Sequence, residues 1–210
     1  MKKLFALLSS ILLAAIFFVS CASTKISIQE HSPIAIFSII GNSQVPWENE
    51  DSDNDDEPDS GGLLTSMLNK VVDGQNPEIL TALDRLDYVN DSVHQIIPEM
   101  TGVEVLEKDV VVKSEAYKNL KSSYFNMLSP IKSATDYKDL TTLGAKNARV
   151  TMKEVGAKSA LFFDFTFQKR VFKGKKSSGE VEGVVNMKAK LLDERGKEVI
   201  NKAYQVTTAE

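Results

Sequence analysis

Three aspartates at alternate positions, Asp51, Asp53 and Asp55, form a pattern with recognisable chemistry. This spacing supplies the first three oxygen ligands of a calcium-binding loop. The rest of such a loop is missing, because Asp56 stands where a glycine makes the sharp turn and Gly62 stands where a glutamate binds through both oxygens. We therefore expect no ordered metal site here, although an acidic segment of this kind can gather divalent cations loosely.

Two glycines, Gly174 and Gly179, stand five positions apart, as in a phosphate-binding loop. Glu180 and Val181 occupy the places of the lysine and the hydroxyl residue that would hold phosphate and magnesium. A glutamate there would repel phosphate. A hairpin turn is the better interpretation of these glycines.

The remaining candidates for chemistry are two histidines and one carboxylate. His31 and His94 are the only histidines, and neither has the partner spacing of a zinc site. Asp164 lies on the mixed face of an aromatic strand, where burial would raise its pKa or require a partner, although a hydrogen-bonded sheet position is the simpler interpretation. We expect no catalytic residues, no enzymatic activity and no cofactor.

Cys21, the only cysteine, follows an amino terminus with the zones of an export signal. Met1 to Lys3 is cationic, and residues 4–19 contain no charge. A run of sixteen residues is short of the roughly 20 that a spanning helix needs, so an uncleaved membrane anchor is the second choice. A buried structural cysteine is the other alternative. With one cysteine, the exported domain must fold without disulfide bonds.

The segment around Cys21 resembles bacterial lipoprotein signals, which place a branched apolar residue and a small residue before the lipidated cysteine. Val19 and Ser20 fit this pattern, whereas Phe18 stands where leucine is usual. The resemblance implies cleavage between Ser20 and Cys21 and a covalent lipid on Cys21. Ala22 and Ser23 follow, without the aspartate that signals retention at the inner membrane in many proteobacterial lipoproteins. The resemblance therefore implies attachment at the outer membrane of the bacterial cell envelope rather than at the inner one.

The composition divides the chain into a signal peptide at 1–20, a lipid tether at 21–32 and a single domain at 33–210. An acidic stretch predicts a disordered insertion at about 43–61, because it contains too little apolar surface to order itself. The whole chain carries 25 basic and 29 acidic residues. This balance gives no electrostatic reason to expect nucleic acid as a partner.

Helical spacing is clearest after Asn76, Pro77 and Glu78, where an N-cap residue, a first-turn proline and an early acid coincide. An apolar stripe then continues to Pro98. Two further helices are predicted, one over 114–128 and one over 145–155, the latter ending at Gly156. A short strand is predicted at 103–106.

The strands are predicted from two kinds of apolar pattern. Residues 33–40 form a nearly continuous apolar run, which suits a central strand covered on both faces. The last fifty residues alternate apolar and polar side chains in three runs, separated by turns at 174–179 and 193–196. The sequence therefore predicts an α/β (α+β) domain with a mixed sheet of about four or five strands, an antiparallel carboxyl-terminal meander and two to four helices.

This order of elements, with two local patterns, resembles a known group of envelope proteins. Residues 156–161 resemble the group's helix-ending Gly-Ala before an apolar strand, residues 192–199 resemble its strand, aspartate, turn glycine and next strand, and Pro33 to Ile40 take the place of its opening strand. The group includes the amino-terminal domain of TolB, the curli secretion channel lipoprotein and the lipoprotein activators of penicillin-binding proteins. The resemblance implies a periplasmic domain that docks other envelope proteins without enzymatic activity.

Two departures narrow this expectation. The tether is short, unlike the long disordered tether of the penicillin-binding-protein activators. The predicted hairpin is too charged to enter lipid as a curli-type pore would require. Its five basic residues form a candidate interaction surface, although charged hairpin tips often serve only to resist aggregation. These residues are Lys169, Arg170, Lys173, Lys175 and Lys176.

We expect a membrane-anchored envelope lipoprotein that serves as a protein-docking or assembly module on the periplasmic side. An exposed sheet edge could provide recognition through main-chain pairing. The alternative is a lipoprotein that binds a ligand or a divalent cation with the acidic segment or with a pocket under the sheet.

Overall fold

The computed structural model describes residues 28–48, 81–123, 131–174 and 179–207. The strands form one sheet in the order β2-β1-β3-β4-β5. β1 and β3 are parallel, and the other neighbours are antiparallel. The predicted α+β class with a mixed sheet is confirmed. The elements in chain order are β1 (Ile34–Asn42), α1 (Ala82–Thr101), α2 (Lys108–Val112), α3 (Glu115–Lys118), β2 (Ile131–Ser133), α4 (Ala145–Val155), β3 (Ser159–Lys173), β4 (Glu180–Leu192) and β5 (Glu198–Thr207).

β1 is the predicted strand covered on both faces, since every residue from Ile34 to Gly41 is buried. Its register against β3 shifts between Ile36 and Ser38, so that Phe37 forms a bulge. Gly41 lies close to the helical layer and to β3: a methyl group added there would come 2.9 Å from the carbonyl oxygen of Phe165. The glycine therefore allows a close approach between the end of β1 and its neighbours.

The carboxyl-terminal meander is confirmed, and its strands are longer than the alternating pattern predicts. Phe163, Phe165 and Phe167 share one face of β3, and the last two rings stack with centroids 6.0 Å apart. Met187 on β4 lies beside Phe165 in the register and is also buried. The apolar face of the meander is therefore part of the main core.

α1 differs from its prediction at both ends. It begins at Ala82, after an N-cap at Thr81 whose hydroxyl accepts from the N–H of Asp84. The predicted start at Asn76 lies outside the described residues. The helix passes through Pro98 and ends at Gly102 in the left-handed conformation, so the predicted end was wrong. Pro98 lies in the last turn, where its missing N–H removes one helix hydrogen bond, while its own carbonyl accepts from the N–H of Gly102.

The helix predicted over 114–128 was wrong. Ser114 is an N-cap, as predicted, but α3 ends four residues later at Lys118. The ammonium of Lys138 donates to the carbonyl oxygens of Tyr117, Lys118 and Leu120, at 2.6 to 3.2 Å. A distant lysine thus satisfies the carbonyls that a continuing helix would otherwise use.

Two short strand assignments also differ. The predicted strand at 103–106 is a single parallel bridge between Val105 and Ile34. β2 was not predicted; it pairs three residues with the end of β1. By contrast, α4 has its predicted bounds, and Gly156 ends it with a φ of 78°.

Two boundaries of the predicted domain map lie elsewhere. Residues 28–32, which the sequence assigns to the tether, join the fold: Ile28–His31 form a 3-10 turn, and the Ser159 hydroxyl donates to the carbonyl oxygen of His31 at 2.7 Å. Residues 43–48, assigned to the acidic insertion, also join it, because Trp47 is buried and forms a bridge with Lys169. Among the described helices, none is both long and apolar enough to cross a bilayer.

Candidate functional site

The hairpin between β3 and β4 carries the basic residues that the sequence singles out. Lys169 is already engaged, since its ammonium lies 5.1 Å from the centre of the Trp47 ring. Its backbone also pairs with the segment before the acidic stretch: its N–H donates to Pro46, and its carbonyl accepts from Glu48 at 2.8 Å. Lys169 therefore holds this segment against the sheet.

Arg170 is the second engaged cation. Its guanidinium donates to the carboxylate of Glu182, which is buried, and lies 3.4 Å from the carboxylate of Glu48. The hydrogen bond that Arg170 donates to Glu182 raises the pKa of Arg170. Gln205 of β5 donates to the other oxygen of Glu48 at 3.3 Å. Arg170 thus neutralises carboxylates of its own chain.

The exposed basic surface of the described hairpin is smaller than the sequence predicts. Lys173 is exposed, beside Phe172 with 52% exposure and Val181 with 41%. Lys175 and Lys176 lie outside the described residues. Because Lys169 and Arg170 have internal partners, the described hairpin offers one exposed cation and two apolar side chains.

β5 provides a different kind of surface, the open edge of the sheet. Within the described residues, β5 pairs with β4 alone. Its central residues Asn201, Lys202 and Ala203 are exposed. An edge strand presents unpaired backbone N–H and C=O groups, which can pair with another strand. The alternating pattern predicts this strand, but its position at the edge depends on the strand order and cannot be read from local sequence.

The polar groups beneath the sheet form structural contacts. Burial raises the pKa of Asp164, nearby Asp139 adds to the rise, and Lys188 opposes it. Asp139 accepts from the N–H and the hydroxyl of Thr141 at 3.1 and 2.7 Å, and Lys190 donates to the carbonyl of Thr141 at 2.8 Å. The hydrogen bond from Lys190 fixes the loop before α4 to the sheet.

The other predicted chemical residues are dispersed. The Nδ1 atom of His94 lies 2.9 Å from the carbonyl oxygen of Asn90 one turn earlier in α1, and His31 lies in the 3-10 turn before β1. Across the described ranges, no three His, Cys, Asp or Glu side chains come together as metal ligands. Ser20, Cys21, Asp51, Asp53 and Asp55 lie outside these ranges.

Comparison with known proteins finds no matching family and no matching curated protein. Among solved structures, the chain is similar to the LpoB C-terminal domain from Salmonella enterica, with 8% identity over 94% of each chain and a TM-score of 0.43. It is also similar to lipoprotein GNA1162 from Neisseria meningitidis, with 13% identity, 83% of this chain and 81% of that chain covered, and a TM-score of 0.37. Similarity at this level carries no functional conclusion.

Proposed function

We propose that this chain is a non-enzymatic envelope lipoprotein that holds a protein-docking domain close to a membrane, most simply the periplasmic face of the outer membrane. Cys21 carries the lipid, and the strand-pairing edge of β5 is the docking surface. The exposed edge is the observation that carries the docking role, because main-chain pairing gives affinity to an added strand.

The length of the tether supports a position near the bilayer. Residues 21–27 separate the proposed lipid from the described fold. Seven residues span at most roughly 23 Å when fully extended. The anchored end of the domain is the end where β3 begins, since the Ser159 hydroxyl binds the carbonyl of His31 there.

The hairpin is a less suitable docking surface. Two of its three described basic side chains already have internal partners, and Lys173 lies opposite Glu180 in the register. The hairpin also lies at the far end of β3, about 46 Å from the tether for fourteen residue steps. We therefore place docking on β5.

The anchor is tested by labelling cells with palmitate and separating membranes from soluble protein. The native chain should take up the label and remain with membranes, whereas Cys21→Ser should lose the label. Ser23→Ala is the matched control, because it changes a neighbouring residue and keeps the cysteine. An unlabelled native chain would contradict the lipidation.

The docking surface is tested with a photo-crosslinking amino acid. Placed at Lys202 on β5, it should give discrete crosslinked products in cells. Val150 on α4 is the control position because its side chain is 56% exposed and belongs to a helix rather than to the edge strand. Equal products from both positions would contradict docking through β5.

A further inference from the structure

The edge strand β5 is long, regular and partly exposed. It runs from Glu198 to Thr207 without proline, and its register with β4 is regular from Ile200 to Thr207. A regular, exposed edge of this length is a template for another strand. The other edge of the sheet is β2, with only three residues.

We propose that the strand that pairs with β5 is β5 of a second copy of this chain. The two strands run antiparallel about a twofold axis at Ala203, and their five-stranded sheets become continuous. This inference rests on the proposed function in one respect, since it names the partner of the same docking edge.

On the face that packs on the core, this register pairs compatible side chains. Ile200 lies opposite Val206 of the second copy, and the same contact is repeated by symmetry. Both side chains are partly buried against the core of their own domain. An added strand covers the remaining apolar area, which favours pairing. Lys202 lies opposite Tyr204 of the second copy, where its aliphatic chain can cover the ring.

On the other face, the register pairs polar and small side chains. Asn201 lies opposite Gln205 of the second copy. Each amide donates one hydrogen bond within its own chain, to Glu198 and to Glu48, and has a second N–H and an oxygen that can pair across the strands. Both side chains are exposed in the single chain. Ala203 lies opposite itself on the axis, where two small side chains leave room for the strands to approach.

Neighbouring registers are poorer. Opposite residues of an antiparallel pair point to the same face, so the axis must pass through a residue. An axis at Lys202 places two ammonium groups opposite each other, which is destabilising. An axis at Tyr204 leaves Lys202 opposite Val206 and shortens the paired segment.

The proposal is tested in the full-length chain in membranes of the exporting cells, by oxidising single added cysteines. Ala203→Cys places two thiols opposite each other, about 5 Å apart at Cβ, and should give a disulfide-linked dimer. Asn201→Cys is the matched control on the same face, because its two copies are separated by about 14 Å along the strands. We expect at least about tenfold less dimer from the control.

Equal dimer from the two variants, or none from Ala203→Cys, would overturn the proposed pairing. The parent chain separates this result from a failure of the anchor, because an unlipidated Cys21 would itself form disulfides. A further variant, Ala203→Glu, places two carboxylates opposite each other at an exposed position and should abolish association in detergent while the chain stays folded. Association that survives this change would also count against the twofold register.

Discussion

The phenol of Tyr117 donates a 2.9 Å hydrogen bond to the carbonyl oxygen of Phe37 at the bulge of β1. The phenol oxygen of Tyr117 in turn accepts from the backbone N–H of Lys138 at 3.0 Å. One buried hydroxyl therefore joins the sheet to the loop after β2. Burial also raises the pKa of Tyr117, so the phenol stays protonated and able to donate.

Replacement of Tyr117 by phenylalanine should lower the free energy of unfolding by about 1–3 kcal/mol, because a buried carbonyl and a buried N–H lose their partner. Urea unfolding followed by circular dichroism measures the change. Tyr137→Phe is the matched control: this tyrosine is also buried, and its hydroxyl has no hydrogen-bond partner within the described part of the chain. The control should be neutral or stabilising, and equal losses in both variants would contradict the role of Tyr117.

A methyl group at Gly41 should destabilise the domain. The added carbon would lie 2.9 Å from the carbonyl of Phe165 and 3.1 Å from side-chain atoms of Leu86 and Phe167, so backbone must move. We expect Gly41→Ala to cost about 1–3 kcal/mol of unfolding free energy. Gly144→Ala, with nothing within 4 Å of the added carbon, should cost less, up to about 1 kcal/mol, because alanine is only a poorer N-cap than glycine there. The urea midpoints of unfolding of the two variants are compared with that of the native chain. An unchanged midpoint for Gly41→Ala would contradict the close approach.

Asp164 should make the stability depend on pH. Burial, with Asp139, raises its pKa in the folded state above the ordinary 3.8. A raised pKa means that the folded state binds the proton more tightly, so its contribution is complete below 3.8 and is lost as the pH rises through the folded value. Asp164→Asn should therefore gain stability relative to the native chain toward neutral pH.

Unfolding midpoints of the native chain and of Asp164→Asn, measured from about pH 3 to pH 7, test this dependence. The control is Asp136→Asn. Asp136 is exposed and has a left-handed backbone conformation, which asparagine also adopts readily. A constant difference between Asp164→Asn and the native chain over the whole range would contradict the buried carboxyl.

Trp47 should report whether the segment before the acidic stretch is held on the sheet. It is the only tryptophan and is 6% exposed, so its native fluorescence should be protected from iodide and acrylamide. Trp47→Ala should cost about 3 kcal/mol of unfolding free energy. Free access of quenchers in the folded chain would contradict the bridge to Lys169.

The sequence predicts those elements whose signals are local. The apolar run of β1, the alternation in β3 to β5 and the glycine after α4 each report their own structure. The end of α3 cannot be predicted from local sequence. The donor to its carbonyl groups is Lys138, which lies twenty residues beyond Lys118. The three-residue β2 is too short to show a period.

The candidate site divides in the same way. Five basic residues near one turn indicate a charged surface, but the partners of Lys169 and Arg170 come from Trp47, Glu48 and Glu182, which lie elsewhere in the sequence. The docking edge follows from the strand order rather than from the composition of β5. The lipid on Cys21 and the loose cation binding of the acidic segment remain predictions from the sequence.

The hydrogen bond between Ser159 and His31 fixes where the tether leaves the sheet, at the end where β5 also begins. In the proposed pair, the twofold axis is perpendicular to the sheet, so the two tethers leave from opposite ends. Two lipids in one leaflet then require that axis to stand along the bilayer normal. Such a pair would lie flat on the membrane and be anchored at both ends, with one broad face toward the lipid head groups and the other open to the aqueous compartment.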